Sequence, residues 1–530
     1  MTRQRWILTA AVLGSAIVFL DSTVVNVAMP AIGRTLPRLG VGVLEGQSYV
    51  YNGYLLALSS LLILAGAMAD FFGRRRMFAV GTAGFGVASV LCGVAPNFEV
   101  LILARVVQGA FGALLVPCAL ALITSNFEGE EQGRAFGLWA GASAGFPILG
   151  PFVGGVLVDT VGWRAVFLIN IPLVLVALYA LLHVPEGRDE QSTGHFDWAG
   201  ATVAFVAIGG LALGAIYGQQ RDWTDPLAFA FIGAGAVATI AFPFLMARRP
   251  FPLVPLSMFR SRNFTVTNIS TLLIYGSLYV TFLFNGLFLQ GTIGYTAAAA
   301  GLAGIPGTLL LTFFSARVGR FSGRYGPRWF MAVGPAIMGL GVLWLARIPA
   351  GTTPWLLVPS RLSTYVPPAG YLVDLLPGLV LFGIGLTIMV APLTTALMTS
   401  VPAQNSGLAS AINNAISRVG PQLAGAVIFV AITASFYGGL AARLPGTNGA
   451  SASVRAHVAP LNQPPRGTTL GGRSGAELAR ATRDASADAY HLAMYVGAAL
   501  LFVGAGVNAM GIRNPRRPGS PSRSAAPVSG

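Results

Sequence analysis

The chain has 530 residues, of which 54% are hydrophobic and only 10% charged, and its mean hydropathy is +0.70. Soluble domains carry about 25% charged residues, so this deficit excludes an ordinary soluble enzyme and points to an integral membrane protein. The formal charge of +15 comes from arginine alone, mostly between apolar runs, which argues for loops at a membrane face and against a nucleic-acid-binding surface.

Taken in chain order, the apolar runs predict 14 membrane-spanning helices. The first six lie at 6–32, 47–69, 77–95, 98–122, 135–158 and 164–184. Two more lie at 198–217 and 226–246, and the last six at 264–290, 296–318, 329–348, 372–398, 407–436 and 488–511. The first run follows Arg3 and Arg5, but it exceeds a signal-peptide core of about 7–15 residues and further runs follow it. It therefore reads as a span.

Arginines on the N-terminal side of the alternating loops and in the tails number 19, against 6 in short loops on the other side. That bias places both termini in the cytoplasm. The expected architecture is all-α and polytopic: a six-helix bundle over 1–184, two linker helices over 185–262, and a second six-helix bundle over 263–512. A long extracytoplasmic loop at 437–487 and a tail at 513–530, both rich in Gly, Pro, Ser and Arg, read as disordered.

Some residues break the apolar pattern. Asp21 lies deep in the first run, with no basic residue between Arg5 and Arg34. A carboxylate at the centre of a span costs about 2.5–3.5 kcal/mol to insert, so it usually faces a cavity or a partner and marks an ion or substrate path. Arg105 is a second such charge. Helical rise puts Asp21 roughly 22 Å from the inner face and Arg105 roughly 12 Å below the outer one. Both then fall in the outer half of a core about 30 Å thick, where they can meet directly or through water. A static structural pair fits that geometry equally well.

The stretch Gly66-Ala67-Met68-Ala69-Asp70-Phe71-Phe72-Gly73-Arg74-Arg75-Arg76 follows the second run. It has an echo after the tenth, in which Gly319 aligns with Gly66 and Gly326 with Gly73. Two equivalent six-span blocks suggest a duplicated transporter that binds its substrate between the halves. Gly66, Asp70, Gly73, Arg74 and Arg75 would form a latch at the membrane face, with Asp70 accepting hydrogen bonds from a helix N-terminus or an arginine. Gly150, Pro151, Gly154 and Gly155, in the fifth run, would bend a helix and pack it closely against the other half. Polar side chains that could line a cavity are Asn26, Tyr51, Asn52, Tyr54, Gln108, Asn285, Gln290, Asn413, Asn414 and Arg418, although interhelical hydrogen bonds would account for several of them.

Cys92 and Cys118 both fall inside apolar runs, against a disulfide or metal site. His183, His195, His457 and His491 show no metal spacing, and no GxxxxGK[ST] run for ATP occurs. No cofactor is expected. No filter motif supports a channel, and no catalytic cluster supports a membrane-embedded enzyme.

The loop residues Gly66, Asp70, Gly73, Arg74 and Arg75 resemble the loop signature of the major facilitator superfamily, with Met68 for a usual Leu and Phe71 for a usual basic residue. The stretch Leu101-Ile102-Leu103-Ala104-Arg105-Val106-Val107-Gln108-Gly109 resembles its fourth-span signature. Gly150-Pro151-Phe152-Val153-Gly154-Gly155 resembles the antiporter signature that separates its exporters from its importers. The stretch from Leu20 to Pro30, with Gly162, Trp163, Arg164, Phe167, Asn170 and Pro172, is similar to the 14-span drug:proton antiporter branch.

The resemblance implies a proton-coupled exporter of hydrophobic or amphipathic small molecules, with protons as coupling ion and Asp21 and Arg105 as proton-handling residues. It also implies a multi-pass protein of the bacterial cell membrane acting as a monomer, its partners being the lipid bilayer and a small-molecule substrate. A dedicated exporter of one endogenous antibiotic is the alternative, given an arginine-only, Ala- and Gly-rich composition typical of GC-rich bacteria.

Overall fold

The structure is a computed structural model that describes residues 3–37, 43–127, 129–184, 196–220, 225–358, 361–402, 405–444, 458, 460–461 and 475–514. The tail beyond residue 514, the stretches 445–457 and 462–474, and the side chains of Asn26, Asp70 and Pro151 lie outside the described residues. Among the described residues there are helices and no strands. Helices satisfy every backbone donor and acceptor within one segment, which is what a lipid environment demands. Eleven stretches among the described residues are long and apolar enough to cross a membrane.

The N-terminal helices are α1 (Arg3–Thr35), α2 (Val43–Phe72), α3 (Arg74–Gly93), α4 (Phe98–Asn126), α5 (Gly129–Thr160), α6 (Ala165–Leu168) and α7 (Asn170–Leu181). Then come α8 (Trp198–Gln220) and α9 (Pro226–Arg248), which pack on each other. The C-terminal set is α10 (Arg262–Leu287), α11 (Ala297–Ala303), α12 (Ile305–Tyr325), α13 (Arg328–Leu345), α14 (Leu376–Met398), α15 (Ser406–Arg443) and α16 (Gly475–Gly511). Short π-helical segments, Phe288–Ile293 and Tyr371–Leu375, follow α10 and precede α14. Side chains start several helices. Asn97 accepts from the Val100 amide at 2.9 Å, and Asp225 accepts from Leu227 at 2.9 Å just before Pro226.

Two buried apolar clusters draw almost entirely on α1–α7, and a larger one on residues 274–512. The two sets meet where α2 and α4 touch α15 and where α5 touches α12, while α8 sits against α2 and α15.

The internal echo is visible in the backbone. Gly73 and Gly326 both adopt positive φ, 102° and 85°, where a side chain is strained. Arg75 Nε donates to the Leu181 carbonyl at 3.0 Å, capping the end of α7, and Arg328 Nε donates to Ala509 at 2.8 Å near the end of α16. Shifting Arg75 by the same offset that aligns Gly66 with Gly319 lands on Arg328. The equivalent arginine therefore caps the last helix of each set. Gly73→Ala is expected to cost on the order of 1–3 kcal/mol of strain. Thermal unfolding in detergent would show the loss, with Gly323→Ala, which meets no described atom within 4 Å, as the silent control.

The loop expected over 437–487 is helical at both ends. α15 continues to Arg443 and α16 starts at Gly475. Leu478, Ala481, Ala485 and Ala489 give α16 a buried stripe there. An ion pair of 2.6 Å between Arg443 and Asp488 ties the two extensions together.

Candidate functional site

Asp21 and Arg105 meet directly. Arg105 Nη1 donates to Asp21 Oδ2 at 2.5 Å, and both side chains are 0% exposed. Two charges that would each be costly alone neutralise one another in a water-excluded setting. The pair is held by more than itself. Gln108 Nε2 and Asn170 Nδ2 donate to Asp21 Oδ1 at 3.2 and 3.0 Å, and both also reach Ser89 Oγ, at 2.8 and 3.3 Å. Arg105 donates again to Gln108 Oε1 at 2.6 Å and to the Val50 carbonyl at 3.3 Å. Its guanidinium carbon lies 4.0 Å from the Tyr54 ring centroid and 5.8 Å from that of Phe167, both within cation–π range.

Four helices supply this knot: α1 gives Asp21, α3 Ser89, α4 Arg105 and Gln108, and α7 Asn170. The i, i+3 spacing of Arg105 and Gln108 puts them on one face of α4. Three donors converge on one carboxylate, the arrangement that stabilises a buried negative charge. Arg105 Nη2 and Asn170 Oδ1 are buried without a hydrogen-bond partner, so the network is polar beyond what its own members satisfy.

Gln108 therefore belongs to the charge cluster, not to an open cavity wall as its amide alone suggested. Replacing it by leucine would strip a donor from Asp21 and an acceptor from Arg105. Gln108→Leu is expected to lower stability by about 1–3 kcal/mol, read as an earlier unfolding midpoint in detergent.

The glycines of the fifth run do something different from what was expected. A methyl group on Gly150 would collide with the Thr23 hydroxyl and stand 3.3 Å from the Val24 amide nitrogen. One on Gly154 would stand 3.1 Å from both the side chain and the carbonyl of Val24. These two glycines press α5 onto α1, two and three residues from Asp21, within the same half. Trp139 Nε1 donating to Ser15 Oγ at 2.8 Å fastens the same pair of helices. α5 also touches α12, and a methyl group on Gly155 would meet no described atom within 4 Å.

Two loop arginines reach carbonyls of their own half. Arg74 donates to the Ala121 carbonyl in the last turns of α4 at 3.4 Å, and Arg75 to Leu181 at the end of α7. Gly66 is buried at the end of α2.

The remaining polar residues divide. Asn285 Oδ1 accepts from the Tyr490 hydroxyl at 3.0 Å, and Asn413 donates to Asn268 Oδ1 and Thr271 Oγ1 at 3.1 and 2.9 Å. Both are satisfied interhelical ties, not free cavity groups. Asn414 donates back to Ser410 on its own helix, and Gln290 is exposed in the π segment. Tyr51, Asn52 and Arg418 are half-buried, and Tyr54 is fully buried. Ser89 was not anticipated, and Asn170 was read only as a family marker. A small polar residue inside a span carries too weak an energetic signal to stand out from helix packing.

A polytopic helical bundle with two equivalent helix sets and a buried charge pair defines a membrane transporter. The family model described as Major Facilitator Superfamily matches residues 11–426, and the chain belongs to that superfamily. It is 33% identical over 423 residues to multidrug resistance protein Stp of Mycobacterium tuberculosis, covering 79% of this chain and 74% of that protein. It is 32% identical over 507 residues to the tetracenomycin C resistance and export protein of Streptomyces glaucescens, covering 94% of this chain and 90% of that one. The crystal structure of the human organic anion transporter MFSD10 (TETRAN) aligns over 96% of this chain and all of its own, with a TM-score of 0.59 at 12% identity, a likeness of fold alone. The protein is a multi-pass membrane transporter and not an enzyme.

Proposed function

We propose that the protein is a proton-coupled antiporter that exports hydrophobic or amphipathic small molecules by alternating access. The observation that carries this reading is the dry Asp21–Arg105 pair, wrapped by Gln108, Asn170 and Ser89. A proton on Asp21 removes the charge that three donors are arranged to meet, so the knot of α1, α3, α4 and α7 loosens. Proton binding thereby acquires a different free energy in states with the knot tight and loose, which coupling requires. The contacts of α2 with α15 and α5 with α12 are where the halves would rock. In this reading fourteen helices span a bacterial plasma membrane as two six-helix bundles with α8 and α9 between them. Both termini are cytoplasmic and the monomer is the working unit.

The relatives named for multidrug resistance and for tetracenomycin C resistance and export support export of a toxic compound. The second of these, matched along nearly its whole length, also favours a narrower role: resistance to one endogenous antibiotic. The test is purified protein in proteoliposomes with an internal pH dye, an imposed proton gradient and a panel of lipophilic cations, neutral antibiotics and acidic aromatics. Proton movement triggered by a substrate establishes antiport. Transport without proton movement overturns the coupling while leaving the exporter fold.

A further inference from the structure

Arg418 is a charge deep in the C-terminal half. It lies 12 residues into α15, roughly 18 Å along the helix and so near the middle of a core about 30 Å thick. Its guanidinium forms no hydrogen bond or ion pair with any described residue, whereas Arg105 has a dedicated carboxylate. α10, α8 and α15 contain no Asp or Glu, and those of α2, Glu45 and Asp70, stand near its two ends. α4 and α16, which also touch α15, carry their acids, Glu99, Glu477, Asp484 and Asp488, in their N-terminal parts.

What surrounds Arg418 is phenolic. Tyr54 and Tyr51, on α2, and Tyr275, on α10, lie within electrostatic range of it. The placement is fixed by close crossings. Gly420, two residues on, approaches the Leu272 carbonyl so closely that an added methyl group would lie 2.9 Å from it. Gly276, beside Tyr275, would meet Ala424 at 3.1 Å. One turn before Arg418, Ala415 is buried in the same apolar cluster as Tyr54, so this face of α15 is turned to the N-terminal half. Tyr54 in turn carries Arg105 on its ring. The net charge around Tyr54 is therefore positive: one carboxylate and two guanidiniums.

We propose that Arg418 and the hydroxyls of Tyr51 and Tyr275 form the recognition point for an anionic group, a carboxylate or an acidic phenol, on an otherwise apolar substrate held between the halves. A half-buried guanidinium with no carboxylate of its own is relieved by a bound anion, planar oxyanions match its fork of donors, and the tyrosines add hydroxyl donors and aromatic walls. This deepens the export reading by naming the chemistry of the cargo, and it rests on that reading only for the direction of transport.

The test is equilibrium binding to the purified full-length protein in detergent, with three probes on one scaffold: 2-naphthoate, 2-naphthamide and 2-naphthylmethylammonium. The expected result is naphthoate binding at least tenfold more tightly than the amide, with the ammonium weakest. Arg418→Gln should erase that preference, and Arg418→Lys should keep part of it. Equal affinities, or a preference for the ammonium, would overturn the assignment in the wild-type protein alone, whatever the variants do. So would an Arg418→Gln protein that keeps the preference. Because no gradient is applied, the outcome is separable from antiport. Naphthoate selectivity without proton movement in proteoliposomes would sink the coupling and leave this site standing, and the converse would do the reverse.

Discussion

Asp21→Asn is expected to abolish substrate-driven proton movement in proteoliposomes, a fall of at least about 100-fold, the scale of a lost positioned proton carrier. Three donors, from Arg105, Gln108 and Asn170, converge on the two oxygens of this carboxylate. An amide offers one oxygen and turns an NH2 group toward at least one of those donors. The variant also leaves Arg105 buried without a counter-charge, which costs about 3–5 kcal/mol when one member of a buried pair is removed. A loss of transport could then come from the fold. The double variant Asp21→Asn/Arg105→Gln separates the two causes. It restores neutrality, so its unfolding midpoint should return most of the way to wild type, while coupling stays absent. Gradient-driven antiport in either variant would show that Asp21 is not on the proton path.

Gly150→Val should be nearly as damaging, for a reason of shape. Its side chain has nowhere to go but into Thr23 and the Val24 backbone, so α5 and α1 must part. Overpacking a close crossing costs about 1–3 kcal/mol, and here the displaced residues neighbour Asp21. Transport should drop by an order of magnitude or more with protein still present in the membrane. Gly155→Val, five positions along the same motif, meets no described atom and should transport at near wild-type rate. Equal damage at both positions would mean that the motif acts through helix flexibility and not through the α1 contact.

The contrast between those glycines shows where sequence reasoning stops. That residues 150–155 pack closely was legible, because small residues in a span have few other uses. Which helix they pack against was not, since spacing on one helix says nothing of its partner. Asp21 and Arg105 were legible as a pair because a charge in an apolar run has a large energetic cost that demands an answer. Gln108, Ser89 and Asn170 carry no such penalty, so an amide in the knot looked the same as an amide lining a cavity. The stripe Leu478, Ala481, Ala485 and Ala489 was hidden by the Gly, Pro and Arg of the loop before it, which set the local composition. Conversely the echo of Gly73 in Gly326 was readable as sequence and reappears as backbone, with both residues at positive φ.

The burial of the charge pair has an electrical consequence. With Asp21 at 1% and Arg105 at 0% exposure, the one titratable carboxylate deep in the first helix is sealed by side chains that already hold it. If that burial persists while no substrate is bound, each idle molecule would conduct no better than the membrane around it. Under the proposed proton coupling, a cell crowded with idle copies would then keep its proton-motive force, and current would flow only while cargo was being turned over. An exporter of the proposed kind, standing ready for a toxin seldom met, would gain most from that economy of conductance.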